Sequence, residues 1–189
     1  STYYPLGVLS SYLAPWLKDL DVAFRFFVGS VFLHFLGASI GWFLFFSRMA
    51  DPTIALFGAL TATYAGYNIK QQPCIVYTVS WFPWLLYGIL IDNQLLAGVS
   101  LGMVFLAGYY PVGLQIILIA IGAAIVWGAH PWFVPIGILI GAVQLIPFLK
   151  YLPKTIRAFK PLAKHDSFGE VPWWHLGSLI TPLPFRFPI

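Results

Sequence analysis

The chain has 189 residues, of which 60% are hydrophobic and 8% are charged, with a formal net charge of +4 at pH 7. Soluble domains carry roughly 25% charged residues, so 10 cationic and 6 anionic side chains are too few to cover a surface of this size in water. The 8 Trp and 10 Tyr suit a protein with aromatic rings at both membrane interfaces. The composition excludes an ordinary soluble domain and predicts an integral membrane protein.

Known chemical motifs exclude several classes of enzyme. The single cysteine, Cys74, rules out an internal disulfide and a cysteine-based metal cluster. The sequence contains no P-loop, GxGxxG, HExxH, GxSxG or CxxC motif, so a soluble nucleotide-dependent enzyme is unsupported. No metal site and no cofactor is evident, and the basic residues lack the surroundings of a nucleic-acid-binding domain.

The first apolar segments differ in length. A helix needs about 20 apolar residues to cross the hydrocarbon layer of a membrane, and residues 22–46 meet that requirement. Residues 10–17 before them are typical of a short interfacial helix. Pro52 opens a second apolar stretch over residues 53–66, which is short for a full crossing. We therefore expect a partial helix whose end is covered by neighbouring protein.

Four further apolar segments follow, at residues 74–91, 95–107, 112–127 and 133–149. Pro83 interrupts the first of them and predicts a kink. The breaks between the segments fall at Asp92-Asn93, at residues 108–111 and at residues 128–131. The pairs Gly98/Gly102 and Gly137/Gly141 each form a GxxxG motif, which predicts close approach of helices.

These segments predict an all-α fold, a polytopic transmembrane helix bundle of about six membrane segments with short, kinked or partial helices. We expect one membrane domain over residues 1–189. It comprises an interfacial N-terminal segment at 1–21, transmembrane segments at 22–149, a basic extramembrane loop at 150–170, and the start of an interfacial or further membrane helix at 171–189.

The orientation of this bundle is ambiguous from the sequence. If all six segments cross, Arg48, Asp92 and His130 share one side, and Lys70 and the basic loop share the other. Placing the start of residues 22–46 outside the cell would put the basic loop outside, against the positive-inside rule. Either the short segment 53–66 does not cross, or the basic loop lies outside for a functional reason.

The basic loop is the first candidate site. Its cations follow one another at spacings of three or four, and so would form one stripe on a helix; they are Lys150, Lys154, Arg157, Lys160 and Lys164. Such a stripe attracts anionic lipid headgroups, or seats a lipid phosphate for which an arginine offers a bidentate fork. The alternative is an ordinary cytoplasmic loop that sets the topology.

A polar cavity in the membrane is the second candidate site. A histidine within the first long segment needs a polar partner, a polar run follows the second segment, and two tryptophans one turn apart would form an aromatic wall. The candidates are His34, Asn68, Lys70, Gln71, Gln72, Trp81 and Trp84. The alternative is a histidine used for packing, a solvated loop and an interfacial aromatic belt.

Six short motifs, in order along almost the whole chain, resemble the YfhO-like family of bacterial multi-pass membrane proteins. They are YYPL at 3–6, HFLG at 34–37, AGYN at 65–68, WFPWLL at 81–86, LAGYYP at 106–111 and VPWWHL at 171–176. The family belongs to the GT-C glycosyltransferase superfamily. The resemblance implies a GT-C-like fold that transfers a sugar from a polyprenyl-phosphate carrier in cell-envelope glycosylation, at the bacterial inner membrane.

In that superfamily the catalytic acid lies in the first external loop, after the first membrane helix. This chain matches the family from beyond that loop, so we expect a fragment that lacks the acid and is inactive alone. Two other functions stay open. A small structural membrane subunit would use the aromatic residues and GxxxG motifs for packing, and a transporter would be supported by an inverted repeat, which the sequence does not reveal.

Overall fold

The computed structural model describes residues 20–64 and 73–151, and all regular secondary structure in these ranges is helical. The prediction of an all-α chain is therefore confirmed for this part. The helices are α1 (Leu20–Phe46), α2 (Pro52–Tyr64), α3 (Pro73–Val79), α4 (Phe82–Leu90), α5 (Gln94–Leu106), α6 (Tyr110–Trp127) and α7 (Phe133–Tyr151). The predicted interfacial helix at 10–17, and most of the basic loop, lie outside the described residues.

Helices α1 and α2 form an antiparallel hairpin. A turn over residues 47–50 ends α1, and Pro52 begins α2, where a proline is well placed because its missing N–H has no partner in the first turn of a helix. The ring of Phe46 lies against Gly58, and the rings of Phe35 and Tyr64 stack 5.7 Å apart. The second helix thus runs back along the first.

The predicted third segment is broken into two helices, as its proline suggested. Helix α3 ends at Val79, and α4 begins at Phe82 with a proline in its first turn. Both run parallel to α1. Tyr77 of α3 meets the first half of α1 at Ser30, and Tyr87 of α4 meets Arg48 just beyond the end of α1.

Sharp turns connect the last four helices, α4 to α7. Asp92 adopts a positive φ of 51°, and the side chain of Asn93 accepts a hydrogen bond from Leu96 N at the start of α5. Gly108 (φ 85°) lies between α5 and α6, and Gly128 (φ 67°) follows α6. Glycine suits both positions because it adopts positive φ without steric cost.

Helices α5 and α7 make the most extensive contact between helices in the described structure. They run parallel, and their GxxxG motifs face each other. A Cβ added at Gly102 would lie 2.6 Å from Cβ of Ile140, and one added at Gly137 would lie 2.7 Å from Cβ of Leu101. The prediction that these glycines permit close helix approach is confirmed.

The alternating directions give the bundle two ends. Arg48, Asp92 and His130 lie in or beside turns at one end, here called the Arg48 end. Lys150 lies in the last turn of α7 at the other, here called the Lys150 end. Helix α2 therefore runs opposite to α1, and α3 runs again in the direction of α1.

Two helices are long and apolar enough to cross a membrane, over Arg25–Phe46 and Phe133–Lys150. Three other apolar stretches are shorter, namely Ile75–Leu90, Gln94–Leu106 and Val112–Trp127. A buried cluster from α4 to α7 forms the centre of the bundle and includes Leu85, Ile89, Leu101, Val104 and Phe133. Outside this cluster, many large apolar side chains point away from the protein, among them Leu118 and Leu139.

Candidate functional site

The cationic stripe enters the described structure at one residue. Lys150 is exposed in the last turn of α7, where a positive charge is favourable beside the free carbonyl groups of a helix C-terminus. Lys154, Arg157, Lys160 and Lys164 lie outside the described residues, as do Asn68, Lys70, Gln71 and Gln72 of the predicted polar cavity. The structure therefore describes one residue of the cationic stripe, Lys150, and three of the polar-cavity candidates, namely His34, Trp81 and Trp84.

His34 is the centre of a polar cluster between α1 and α3. Its Nδ1 lies 2.7 Å from the carbonyl oxygen of Ser30, one turn earlier in α1. A carbonyl can only accept, so Nδ1 carries the proton in this hydrogen bond. The His34 ring packs against the Tyr77 ring with centroids 4.3 Å apart. The hydroxyl oxygens of Ser30 and Tyr77 are 2.7 Å apart, which joins the two helices.

Beside this cluster lies a small cavity of about 20 Å³ between α1, α2 and α3. His34, Thr63 and Ser80 supply polar groups to its wall. Thr63 and Ser80 are buried, and the Ser80 hydroxyl donates to the Tyr77 carbonyl oxygen at 3.0 Å. The remaining lining residues are apolar or aromatic: Phe35, Ala38, Trp42, Ile75, Val76 and Val79. His34 therefore lies in the wall of a small, mostly apolar cavity that is also lined by two hydroxyl-bearing residues.

The two tryptophans of the predicted aromatic wall lie elsewhere. Trp84 donates its indole N–H to the carbonyl oxygen of Gly37 at 3.0 Å, and its ring covers Gly41. Trp81 precedes α4 and packs against the buried cluster at the centre of the bundle. Both therefore hold helices together, and the aromatic wall of the cavity is formed by Phe35 and Trp42.

Sequence reasoning missed Ser30, Tyr77, Thr63 and Ser80. Each is a hydroxyl-bearing residue within an otherwise apolar segment, and Ser30 stands four residues before His34. That spacing places the two on the same face of a helix. Polar groups removed from water need hydrogen-bond partners. The spacing of Ser30 and His34 therefore could have indicated a polar cluster on this face of α1. The partner helix itself cannot be read from such spacing.

A second polar arrangement lies at the Arg48 end. The guanidinium of Arg48 lies 5.9 Å from the centre of the Tyr87 ring, and its Nη2 is 3.4 Å from the Tyr87 hydroxyl. Gln94 donates to Asp92 at 2.6 Å and accepts from Phe133 N at 3.1 Å. These contacts fix the connections between helices at this end of the bundle.

Within residues 20–64 and 73–151, no group of three or more His, Cys, Asp or Glu side chains is placed to hold a metal ion. Asp51 and Asp92 occupy separate turns at the Arg48 end. The described side chains thus offer interhelical hydrogen bonds and a small polar cavity. No protein-family model, curated protein or solved structure matches the chain.

Proposed function

We propose that this chain is a multi-pass helical unit embedded in a lipid bilayer, and that it forms part of a GT-C-type glycosyltransferase handling a polyprenyl-phosphate-linked sugar. The membrane is the bacterial inner membrane, and the product belongs to the cell envelope. The acid that catalyses transfer would lie outside this chain.

The outward-facing apolar surface is the observation that carries the membrane assignment. In each of the two long helices only 17% of the 18-residue apolar window is buried, whereas the core helix of a soluble protein would be mostly buried. Leu118 of α6 is 70% exposed and Leu139 of α7 is 76% exposed. Removing one such side chain from water is worth about 1.5–3 kcal/mol, so this surface favours contact with lipid.

The alternating helix directions support several crossings. Helices α4 to α7 are joined by turns of only a few residues, which is typical of membrane bundles with short connections. The last described residue of the short helix α2, Tyr64, stacks on Phe35 of α1. A partial helix is tolerated at membrane depth when neighbouring protein covers it.

The glycosyltransferase assignment rests on the resemblance to YfhO-like proteins. Two of its motifs, HFLG at 34–37 and WFPWLL at 81–86, touch each other through the Trp84–Gly37 hydrogen bond. If the motifs belong to one fold shared with YfhO-like proteins, motifs that are distant in sequence should meet in the structure. The contact between these two motifs is consistent with that part of the proposal. The hydrogen bond itself packs α4 against α1.

Lys150 is the described residue on which the carrier-binding part of the proposal is based. It marks the Lys150 end as the end where the cationic stripe begins, and five cations in this stretch suit a phosphate or diphosphate at the headgroup level. The experiment is photo-crosslinking of the purified chain in nanodiscs with a polyprenyl phosphate probe. The polyprenol probe of the same length, which lacks the phosphate, is the control.

We expect stronger crosslinking of the phosphate than of the alcohol, and loss of this preference in Lys154→Gln/Arg157→Gln. Arg48→Gln, at the opposite end of the bundle, is the matched variant and should keep the preference. Equal labelling by the two probes in the unmodified chain would refute carrier binding. A preference that also disappears in Arg48→Gln would show general charge attraction instead.

A structural membrane subunit is the second candidate, in which the glycines and aromatic residues serve packing between helices. The four glycines of the GxxxG motifs and the indole of Trp84 all serve contacts between helices. Purification from native membranes at low detergent concentration separates the two functions. A stable stoichiometric partner without carrier binding would favour the structural role.

A further inference from the structure

The cavity between α1, α2 and α3 has the size of a site for one small molecule. Its volume of about 20 Å³ exceeds the 10–15 Å³ or so that a water molecule needs. It is too small for a sugar or for an isoprenoid chain, since ordinary ligand pockets measure roughly 300–1,000 Å³. Volume alone thus limits the occupant to water or a small ion.

The chemistry of the wall decides between a dry and a hydrated cavity. Cavities lined only by apolar side chains stay empty, whereas a buried water needs two to four polar partners. Three polar residues line this cavity: His34 of α1, Thr63 of α2 and Ser80, which directly follows α3. Ser80 already donates its proton to a carbonyl, and its hydroxyl oxygen keeps lone pairs that can accept.

The position of the cavity beside α2 gives a physical reason for a bound water molecule. Thr63 lies in the last described turn of the short helix α2, and its side chain is buried in the cavity wall. Polar groups at membrane depth are costly unless they are hydrogen-bonded. Ordered water is one of the means by which broken membrane helices satisfy these groups.

We propose that this cavity binds one water molecule, held by His34, Thr63 and Ser80, and that this water joins α1, α2 and α3. The site is independent of the proposed sugar transfer. A monovalent cation is the competing occupant, but no carboxylate lines the cavity. Neutral hydroxyl and imidazole groups suit water better than a desolvated cation, because burying a charge without a charged partner is expensive.

The test is water-edited solid-state NMR of the whole chain in lipid bilayers, with nitrogen-15-labelled histidine. The His34 ring signal is assigned by its disappearance in His34→Phe. We expect early magnetisation transfer from water to the His34 ring in the unmodified chain. His130 is exposed in the turn after α6 and reports contact with bulk solvent in every sample.

Two variants and one control make the result specific. Ala38→Leu places extra volume in the cavity wall and should abolish transfer to His34. Thr63→Val preserves the shape but removes a hydroxyl, and should reduce transfer even if the first variant fails to fold. Gly122→Ala has open space around its new Cβ and should leave transfer unchanged.

The outcomes separate cleanly. Absence of early transfer to His34 in the unmodified chain would overturn the proposal, as would transfer that is unaffected by Thr63→Val. Replacement of sodium by choline in the buffer should leave the His34 signal in place. A sodium-dependent shift of that signal would identify a cation site instead and would also overturn it.

Discussion

The contact between α5 and α7 leads to a quantitative prediction for Gly102→Ala. The new Cβ would lie 2.6 Å from Cβ of Ile140, whereas carbon atoms pack best at about 3.5–4.0 Å. The Cβ of Ile140 is attached directly to the backbone, so no change of side-chain rotamer moves it away. The two helices would have to separate by about 1 Å, with loss of contact along their shared surface.

The magnitude follows from two opposing terms. Overpacking of a well-packed core costs about 1–3 kcal/mol, and replacing glycine by alanine within a helix gains about 1 kcal/mol. Gly122→Ala in α6 isolates the second term, because nothing lies within 4 Å of its added Cβ. The difference in unfolding free energy between the two variants therefore measures the clash alone, and we expect about 1–3 kcal/mol.

The assay is unfolding by sodium dodecyl sulfate in mixed micelles, followed by tryptophan fluorescence. Gly102→Ala should unfold at a lower mole fraction of denaturing detergent than Gly122→Ala. Adding Gly98→Ala should cost less than a second independent clash, because both glycines face the same helix and neighbouring substitutions are not additive. If Gly102→Ala proves as stable as Gly122→Ala, α5 and α7 do not pack through these glycines.

Three other substitutions test separate features. Trp84→Phe removes the indole donor to Gly37 and should lower the unfolding free energy by about 0.5–1.5 kcal/mol, while Trp132→Phe, at an exposed tryptophan, should have no effect; equal losses would contradict the hydrogen bond. Asn93→Ala removes the cap of α5 and should cost about 1 kcal/mol in the same unfolding assay, and Asn93→Asp, which retains an acceptor, should be close to the original chain. Leu118→Lys places a charge on the outward face of α6 and should reduce membrane insertion in a glycosylation-reporter assay by about 2.5–3.5 kcal/mol; unchanged insertion would show that this face does not meet lipid.

The sequence predicted helix positions well because the signals are local. Pro83 removes a backbone donor, Asp92-Asn93 and the glycines at 108 and 128 favour turns, and apolar runs lie between them. The observed α5 covers Gln94–Leu106, against a predicted 95–107. Such features depend on a few neighbouring residues, so the positions of helices and turns can be predicted without knowing the tertiary packing.

Contacts between distant residues could not be predicted in the same way. Nothing near Trp84 in the sequence indicates that its indole meets Gly37, and nothing near Tyr77 indicates Ser30. Of the predicted cavity residues in the described ranges, His34 lines a cavity, whereas Trp81 and Trp84 pack between helices. Which polar groups meet depends on the rotation and direction of whole helices, and those are fixed by packing across the bundle.

The parallel arrangement of α5 and α7 also bears on how the protein is made. During synthesis α5 leaves the ribosome before α7, the helix that packs on its glycine surface. Helix α6 is made between them and must not occupy that surface before α7 is made. Until then the glycine surface of α5 lacks the helix that covers it in the folded structure. Synthesis that stops before residue 133 would therefore leave an unfinished intermediate with this surface uncovered.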